Sequence, residues 1–122
     1  MKQKKQSKSY SAPALEKGLD ILELLSNFEE GLSQAEIASR LNKSVNEIYR
    51  MITTLTNREY IDFDNEKEVY KLSFKILNMT AKFEPVKTLT TKTIPIMKEI
   101  ATKANQSVHL AIYTKGKILI IA

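Results

Sequence analysis

The residues with the clearest chemistry lie close together, between positions 33 and 54, and most of them carry hydrogen-bonding side chains. Asn can form a pair of hydrogen bonds with adenine, Arg can do the same with guanine, and Thr and Tyr can contact bases or phosphates. This chemistry predicts contacts with double-stranded DNA. The predicted contact residues are Ser33, Gln34, Lys43, Ser44, Asn46, Glu47, Tyr49, Arg50, Thr53 and Thr54.

Three of these side chains have a second interpretation that does not involve DNA. Glu47 can complete a helix cap, and this role is favoured over base recognition. Arg50 can form an ion pair with Glu47 or Glu36 instead of contacting a base. Asn46 is as compatible with simple exposure to solvent as with a base contact.

Two S-x-x-E patterns predict the helices that position these residues. Ser33 is followed three residues later by Glu36, and Ser44 by Glu47. In such a capping box the Ser hydroxyl accepts a bond from a backbone N–H, and the Glu accepts one from the N-cap N–H. We expect helices over about 34–41 and 45–58, joined by a short polar turn at 42–43. Two helices joined so tightly are expected to cross as a helix-turn-helix, whose second helix usually lies in the major groove.

The N-terminal N–H groups of the first of these helices commonly meet a phosphate, although Ser33 and Gln34 can also be plain capping residues.

Another helix is predicted before the pair, from Pro13 to about Asn27. It carries an apolar stripe that we expect to be buried under the next two helices. The stripe consists of Leu15, Leu19, Ile21, Leu22, Leu24, Leu25 and Phe28.

A β-hairpin is predicted directly after the helix pair. Apolar and polar residues alternate over 60–63 and 69–72 around a polar turn, a pattern typical of two short strands. A hairpin in this place is a wing. Because Asp64, Glu66 and Glu68 are poor phosphate contacts, we expect the wing to be mainly structural.

Two more helical patterns follow the wing. Ser73 can cap a helix over about 74–82, which is too apolar to remain without a partner and is broken at Glu84–Pro85. The next pattern starts at Val86 and either begins as a helix just before Pro95 or is kinked there, because its Thr-rich part is a poor helix former.

A second hairpin is predicted at the end of the sequence, over 107–113 and 118–122. Its last strand is a continuous apolar run, which suits burial on both faces. The sequence ends there, and an apolar strand without a further neighbour is prone to pairing. This end therefore resembles the beginning of a domain whose remainder is missing.

Charge is unevenly distributed along the chain. The formal net charge is +5, which favours polyanionic partners. Residues 9–61, however, hold five basic and eight acidic side chains, a balance of −3. A phosphate-binding surface would therefore have to be local. It would consist of Lys2, Lys4, Lys5 and Lys8 in a flexible arm, with Lys43, Arg50 and Arg58. The arm can also be only a solubilising end.

The sequence offers no support for an enzyme. It has no Cys, which excludes thiolate metal sites, and only three Gly, which leaves no Gly-rich phosphate loop. Its single His, His109, lies in a predicted strand with no clustered acids nearby, an arrangement that makes neither a metal site nor a triad. No cofactor or metal is expected.

No apolar run approaches the roughly 20 residues of a membrane helix, and no signal peptide is visible. We expect a cytoplasmic protein without membrane contact, associated with the nucleoid when it binds DNA.

The order of elements and four segments together resemble the IclR family of bacterial transcriptional regulators. The segments are ALEKGLDILELL, LSQAEIASRLNKSVNEIYRMITTLTNREYI, YKLSFKILNM and IPIMKEIATKANQSVHLAIYTKGKILIIA. The resemblance implies a winged helix-turn-helix that binds operator DNA as a dimer. It also implies a linker helix leading to an α/β effector-binding domain that senses a small molecule.

Four residues can be compared with the family's pattern. Arg50 matches the characteristic Arg of its recognition helix, whereas Asn46 and Glu47 stand where Ser and Thr are common, so base preference cannot be transferred. Glu59 stands where a Gly commonly closes this helix. That place usually needs a positive φ, which Glu adopts at a cost of roughly 1 kcal/mol.

The expected fold is α+β and mainly α: a winged helix-turn-helix, a linker helix and an incomplete α/β segment made of a helix and a β-hairpin. The expected ranges are 1–12 for the basic arm, 13–72 for the DNA-binding domain, 73–84 for the linker helix and 85–122 for the N-terminal fragment of an effector domain. This fragment is too short to enclose a ligand pocket, so no effector site is expected.

We therefore predict a sequence-specific, IclR-type transcriptional regulator that binds operator DNA as a homodimer through the helix over 44–58. The alternative is a winged-helix module for protein interaction or dimerisation, without specific DNA binding. The acidic balance of residues 9–61 favours this alternative.

Overall fold

The computed structural model describes residues 10–122, so most of the basic arm predicted over 1–12 lies outside the described residues. Within this range the chain forms five helices and two antiparallel hairpins. In chain order they are α1 (Pro13–Leu25), α2 (Gln34–Arg40), α3 (Val45–Asn57), β1 (Ile61–Asp64), β2 (Val69–Leu72), α4 (Lys75–Lys82), α5 (Glu84–Ala104), β3 (Ala111–Thr114) and β4 (Lys117–Ile120). The predicted fold class, a mainly helical winged helix-turn-helix, is confirmed.

The chain divides into two compact units. The first ends at Ile76 and contains the helix-turn-helix and the first hairpin, and the second is Leu77–Ala122. Among the described residues, none of the helices combines the length and apolar character needed to span a bilayer.

Aliphatic side chains from every element of the helix-turn-helix fill the core of the first unit. The fully or nearly buried residues are Ile21, Leu25, Leu32, Ile37, Ala38, Ile48, Ile52 and Ile61. The expectation that the whole α1 stripe is buried is wrong for Leu15 and Leu19, which are 63% and 48% exposed. At about 100° per residue, their mean direction is about 120° around α1 from that of Ile21 and Leu25, so they lie outside the buried face.

The wing consists of β1 and β2, paired from Ile61 with Leu72 to Asp64 with Val69. Leu32 adds a bridge to this hairpin, because its N–H donates to the Tyr70 carbonyl at 3.0 Å and its carbonyl accepts the Tyr70 N–H at 2.8 Å. The segment before α2 is therefore tied directly to the wing.

In the second unit, α5 begins at Glu84 and runs through the Thr-rich stretch to Ala104. Of the two predicted alternatives, a helix that begins just before Pro95 is therefore wrong, and a kink at Pro95 stays a prediction. The Thr-rich run is helical in spite of its low helix propensity. The hydroxyls of Thr90 and Thr93 donate to the carbonyls of Val86 and Leu89 at 2.8 and 2.7 Å, which satisfies their polar groups within the helix.

The second hairpin pairs Ala111 with Ile120 and Thr114 with Lys117. Lys115 and Gly116 form its turn with φ values of 47° and 78°, as a two-residue type I′ turn requires. The expected burial of the last strand is wrong for this structure, because all four residues of β4 are exposed. A two-stranded hairpin has no second layer of its own to cover this face.

Candidate nucleic-acid interface

Helix α3 has one buried face, which holds it against the rest of the first unit. Ile48 and Ile52, one turn apart, are fully buried, and Met51 and Leu55 pack beside them. Val45, by contrast, is 43% exposed. Val45 is the first residue of the helix, and at about 100° per residue it lies at the edge of the buried face rather than at its centre.

The opposite face of α3 carries the predicted DNA contacts. Asn46, Tyr49, Arg50, Thr53 and Thr54 are all exposed. Asn46 and Arg50 are one turn apart and lie near the middle of this face, opposite the buried isoleucines. The helix therefore brings an amide and a guanidinium together on a surface that nothing else in the unit covers.

Arg50 does not form the alternative ion pairs considered from the sequence. Within residues 10–122 the carboxylates of Glu36 and Glu47 have other partners, and no ion pair includes Arg50. Its five guanidinium donors are therefore available to a ligand.

Glu47 acts as a capping residue, as favoured from the sequence. Its Oε2 accepts the Ser44 N–H at 2.7 Å, while the Ser44 hydroxyl accepts the Glu47 N–H at 3.2 Å. The bonds from Ser44, followed by the charges of Lys17 and Lys43, hold the pKa of Glu47 below its usual value. The Lys17 ammonium lies 3.8 Å from this carboxylate, so the start of α3 is also linked to α1. The carboxylate is thus engaged within the protein.

The same device opens α2. The Ser33 N–H donates to Glu36 at 2.8 Å, and the Glu36 N–H donates to the Ser33 hydroxyl at 3.2 Å. These bonds lower the pKa of Glu36. Ser33 and Gln34 are half-buried, and so they are less accessible than the residues of α3.

The turn between α2 and α3 is closed by backbone bonds. Asn42 has a φ of 54°, and its N–H donates to Ser39, while the N–H of Lys43 donates to Ala38. This is a Schellman motif, in which Asn tolerates the left-handed conformation. The motif ends α2 and leaves the side chains of Lys43 and Ser44 exposed just before α3.

The end of α3 is held by contacts that the sequence analysis did not anticipate. Glu59 has a φ of 63°, which confirms the positive φ expected there. The Ser73 hydroxyl donates to the Glu59 carbonyl, and the Lys75 ammonium donates to the Arg58 carbonyl at 2.5 Å. Lys75 also lies 4.7 Å from the centre of the Tyr60 ring. We call the contacts of Ser73 and Lys75 with residues 58–60 the linker clasp. Because the hydrogen bonds of the linker clasp end on backbone carbonyls, no spacing of residues in the sequence reveals these bonds.

The wing has little positive charge to offer a phosphate. Lys67 donates to Glu30 at 2.6 Å, and Lys71 lies 4.0 Å from Asp64. Asp64 also accepts the N–H groups of Glu66 and Lys67 at 3.0 and 3.1 Å, which shapes the turn. These pairings support the prediction that the wing is mainly structural.

The described residues contain no group of three or more His, Cys, Asp or Glu side chains that could hold a metal ion. His109 is exposed in the second unit.

Comparison with known proteins matches the helix-turn-helix to a family. Residues 14–65 match the model of the IclR helix-turn-helix domain. An uncharacterised HTH-type transcriptional regulator of Haemophilus influenzae is 25% identical over 104 residues, which is 85% of this chain and 39% of that protein. The glycerol operon regulatory protein of Streptomyces coelicolor is 24% identical over 108 residues, covering 88% of this chain and 42% of that protein. The chain thus spans about two fifths of the length of these relatives.

Solved structures share the fold. The IclR family transcriptional regulator of Brucella abortus aligns with a TM-score of 0.70 and 22% identity, over 100% of this chain and 46% of that one. An IclR homologue of Microbacterium hydrocarbonoxydans, complexed with 4-hydroxybenzoate, aligns with a TM-score of 0.79 and 12% identity, over 89% of this chain and 45% of that one.

Proposed function

Because the chain carries the helix-turn-helix domain of the IclR family at residues 14–65, we propose that this transcriptional regulator binds operator DNA as a dimer through α3. The observation that carries this proposal is the exposed face of α3. It holds Asn46 and Arg50 one turn apart, free of the capping and pairing roles that occupy Glu47.

Each of these two side chains has a defined partner in the major groove. Arg can form two parallel bonds with O6 and N7 of guanine, and Asn can do the same with N6 and N7 of adenine. Both residues lie in the first half of the helix, which is the part that helix-turn-helix proteins commonly bring to the base edges. Tyr49, Thr53 and Thr54 border them.

Phosphate contacts complete the proposed interface. Lys43 and Ser44 are exposed beside the start of α3, and Ser33 and Gln34 open α2. The four lysines between residues 2 and 8 add positive charge on the N-terminal side. Because the wing lysines are paired with carboxylates, we assign no phosphate contact to the wing.

The proposed dimer would cover apolar side chains that are exposed on the single chain. Phe74, Leu77 and Phe83, in and around α4, are 84%, 61% and 59% exposed. Leu15 and Leu19 on α1 are a second exposed apolar pair. A two-fold dimer would pair two recognition helices with a palindromic operator. We propose a cytoplasmic location, at the nucleoid, and no enzymatic activity.

The ranges of the parts are proposed as 1–12 for the arm, 13–72 for the DNA-binding domain, 73–84 for the linker helix and 85–122 for a fragment of an effector domain. We propose no effector site within these residues. The second candidate function is a protein-interaction module, which the −3 balance of residues 9–61 favours.

The proposal is tested by selecting bound sequences from a pool of random duplexes at several salt concentrations, with the oligomer mass measured on the same sample. We expect an enriched palindrome and an affinity that falls as salt rises, because phosphate contacts release counterions. Weak binding without any enriched sequence, by a chain of dimer mass, would favour the interaction module.

Arg50→Ala is the corresponding variant. Losing a bidentate base contact should weaken specific binding by roughly 1–3 kcal/mol. Arg50→Lys is the matched control, since it keeps the charge but loses the fork geometry, and it should retain non-specific affinity while losing base discrimination. An unchanged affinity of Arg50→Ala for the enriched site would remove Arg50 from the interface.

A further inference from the structure

We infer that α3 also recognises thymine methyl groups, through an apolar stripe formed by Val45, Tyr49 and the methyl group of Thr53. This inference rests on the proposed function, because it assumes that α3 lies in the major groove. It adds a second kind of base recognition to the hydrogen bonds of Asn46 and Arg50.

Val45 and Tyr49 are exposed and have no structural role. Val45 is 43% exposed and Tyr49 is 58% exposed, and neither is among the residues that form the core or pack against it, whereas Ile48 and Ile52 are buried in it. A β-branched residue also has a lower helix propensity than most polar alternatives. Neither packing nor helix formation therefore accounts for a valine and a tyrosine at these places.

The second argument is spacing. Residues 45, 49 and 53 follow each other at intervals of four, so their side chains lie in one row along a single edge of the helix. Asn46 and Arg50 form the adjacent row, also at an interval of four. The exposed face thus presents an apolar row beside a hydrogen-bonding row.

The third argument concerns the hydroxyl of Thr53. It donates to the Tyr49 carbonyl at 2.9 Å, so its proton is engaged within the helix. What Thr53 offers outward is then its methyl group and an acceptor oxygen, and it has no hydroxyl donor left for a base. Thr53 therefore adds its methyl group to the apolar row of Val45 and Tyr49.

The size of the stripe favours a base as its ligand over a protein. A stable protein interface buries about 800 Å² on each partner, and three side chains bordered by Asn46 and Arg50 are too small for this. In the major groove the C5 methyl of thymine is the apolar group, and it is recognised by small apolar side chains. The start of α3, where Val45 lies, is the part that commonly reaches base edges.

The test replaces each thymine of the enriched duplex, one at a time, with uracil, which lacks only the methyl group. We expect the affinity of the unaltered protein to fall about fourfold at one or two sites in each half of the operator, since a buried CH₂ group contributes roughly that factor. Val45→Ala and Tyr49→Ala should each bind more weakly and lose the difference between thymine and uracil at the site they contact. Thermal unfolding of each variant checks that it is folded.

The possible results distinguish a failure of methyl recognition from a failure of the proposed function. If the protein selects a palindrome but uracil binds as well as thymine at every site, the stripe does not recognise methyl groups, and the proposed function stands. If the uracil effect persists in Val45→Ala, in Tyr49→Ala and in Thr53→Ser, which removes only the methyl group, another residue recognises the thymine methyl and this inference is wrong. If no sequence is selected at all, the proposed function fails and this inference fails with it. Because the uracil duplexes alter only the DNA, the first outcome does not depend on a variant that must fold.

Discussion

Replacing Gly31 with Ala should detach the wing from the segment before α2 and destabilise the first unit by about 2–5 kcal/mol. Gly31 has a φ of +82°, which an L-residue with a side chain adopts at a cost of roughly 1–2 kcal/mol. A Cβ at this place would also lie 2.6 Å from the Tyr70 carbonyl oxygen and 2.7 Å from Cγ of Lys71. The Lys71 side chain can turn away, but the backbone oxygen cannot.

Relief of this clash requires the two segments to separate. The pair of hydrogen bonds between Leu32 and Tyr70, at 3.0 and 2.8 Å, would then stretch or break. At about 0.5–1.5 kcal/mol for each bond, loss of both adds about 1–3 kcal/mol to the cost of the φ value.

The measurement is urea unfolding, followed by circular dichroism and by peptide-resolved hydrogen exchange, which separates the two units. Two other glycines are matched controls. Gly116 has a φ of +78° but open space around it, so Gly116→Ala isolates the backbone cost. Gly18 lies in α1 with open space around it, and Gly18→Ala should stabilise by up to about 1 kcal/mol. A cost for Gly31→Ala no larger than that for Gly116→Ala would refute the argument from close approach.

Two further predictions concern the ends of the helices. Glu59→Gly should stabilise the first unit by about 0.5–1 kcal/mol, because glycine adopts the φ of 63° without steric cost but loses more chain entropy; an unchanged urea midpoint would contradict this. Because capping lowers the pKa values of Glu36 and Glu47, their contribution is complete above the unfolded value near 4.3 and is lost as the pH falls through the lower folded values. Replacing Ser33 and Ser44 together with Ala should therefore weaken the pH dependence of the unfolding free energy below about pH 5, and equal slopes for variant and parent would oppose it.

The parts of the fold that short-range signals specify could be predicted from the sequence. Both capping boxes are present with their expected bonds, and α2 and α3 begin at the predicted residues. The Pro at the start of α1 and the break before Glu84 are likewise local effects. The exposure of Asn46 and Arg50 follows from helical period alone, once Ile48 is known to be buried.

The remaining features depend on contacts between distant residues or on finer placement around a helix. The apolar stripe predicted for α1 was too wide, because it included the exposed Leu15 and Leu19. The pattern of apolar residues did not identify which edge of α1 packs against the core. The bonds between Lys75 and the end of α3 join residues 17 positions apart through a backbone carbonyl, which has no sequence signature.

The linker clasp has a mechanical consequence. Its bonds end on the carbonyls of Arg58 and Glu59, directly after the last turn of α3, and they start from Ser73 and Lys75, where α4 begins. Any rotation of the start of α4 must therefore break these bonds or carry the end of α3 with it. If the bonds hold, the orientation of the first residues of α4 and the affinity of α3 for the proposed DNA ligand are coupled. The coupling works equally in both directions, because a ligand on α3 must bias α4 by the same free energy with which α4 biases the ligand.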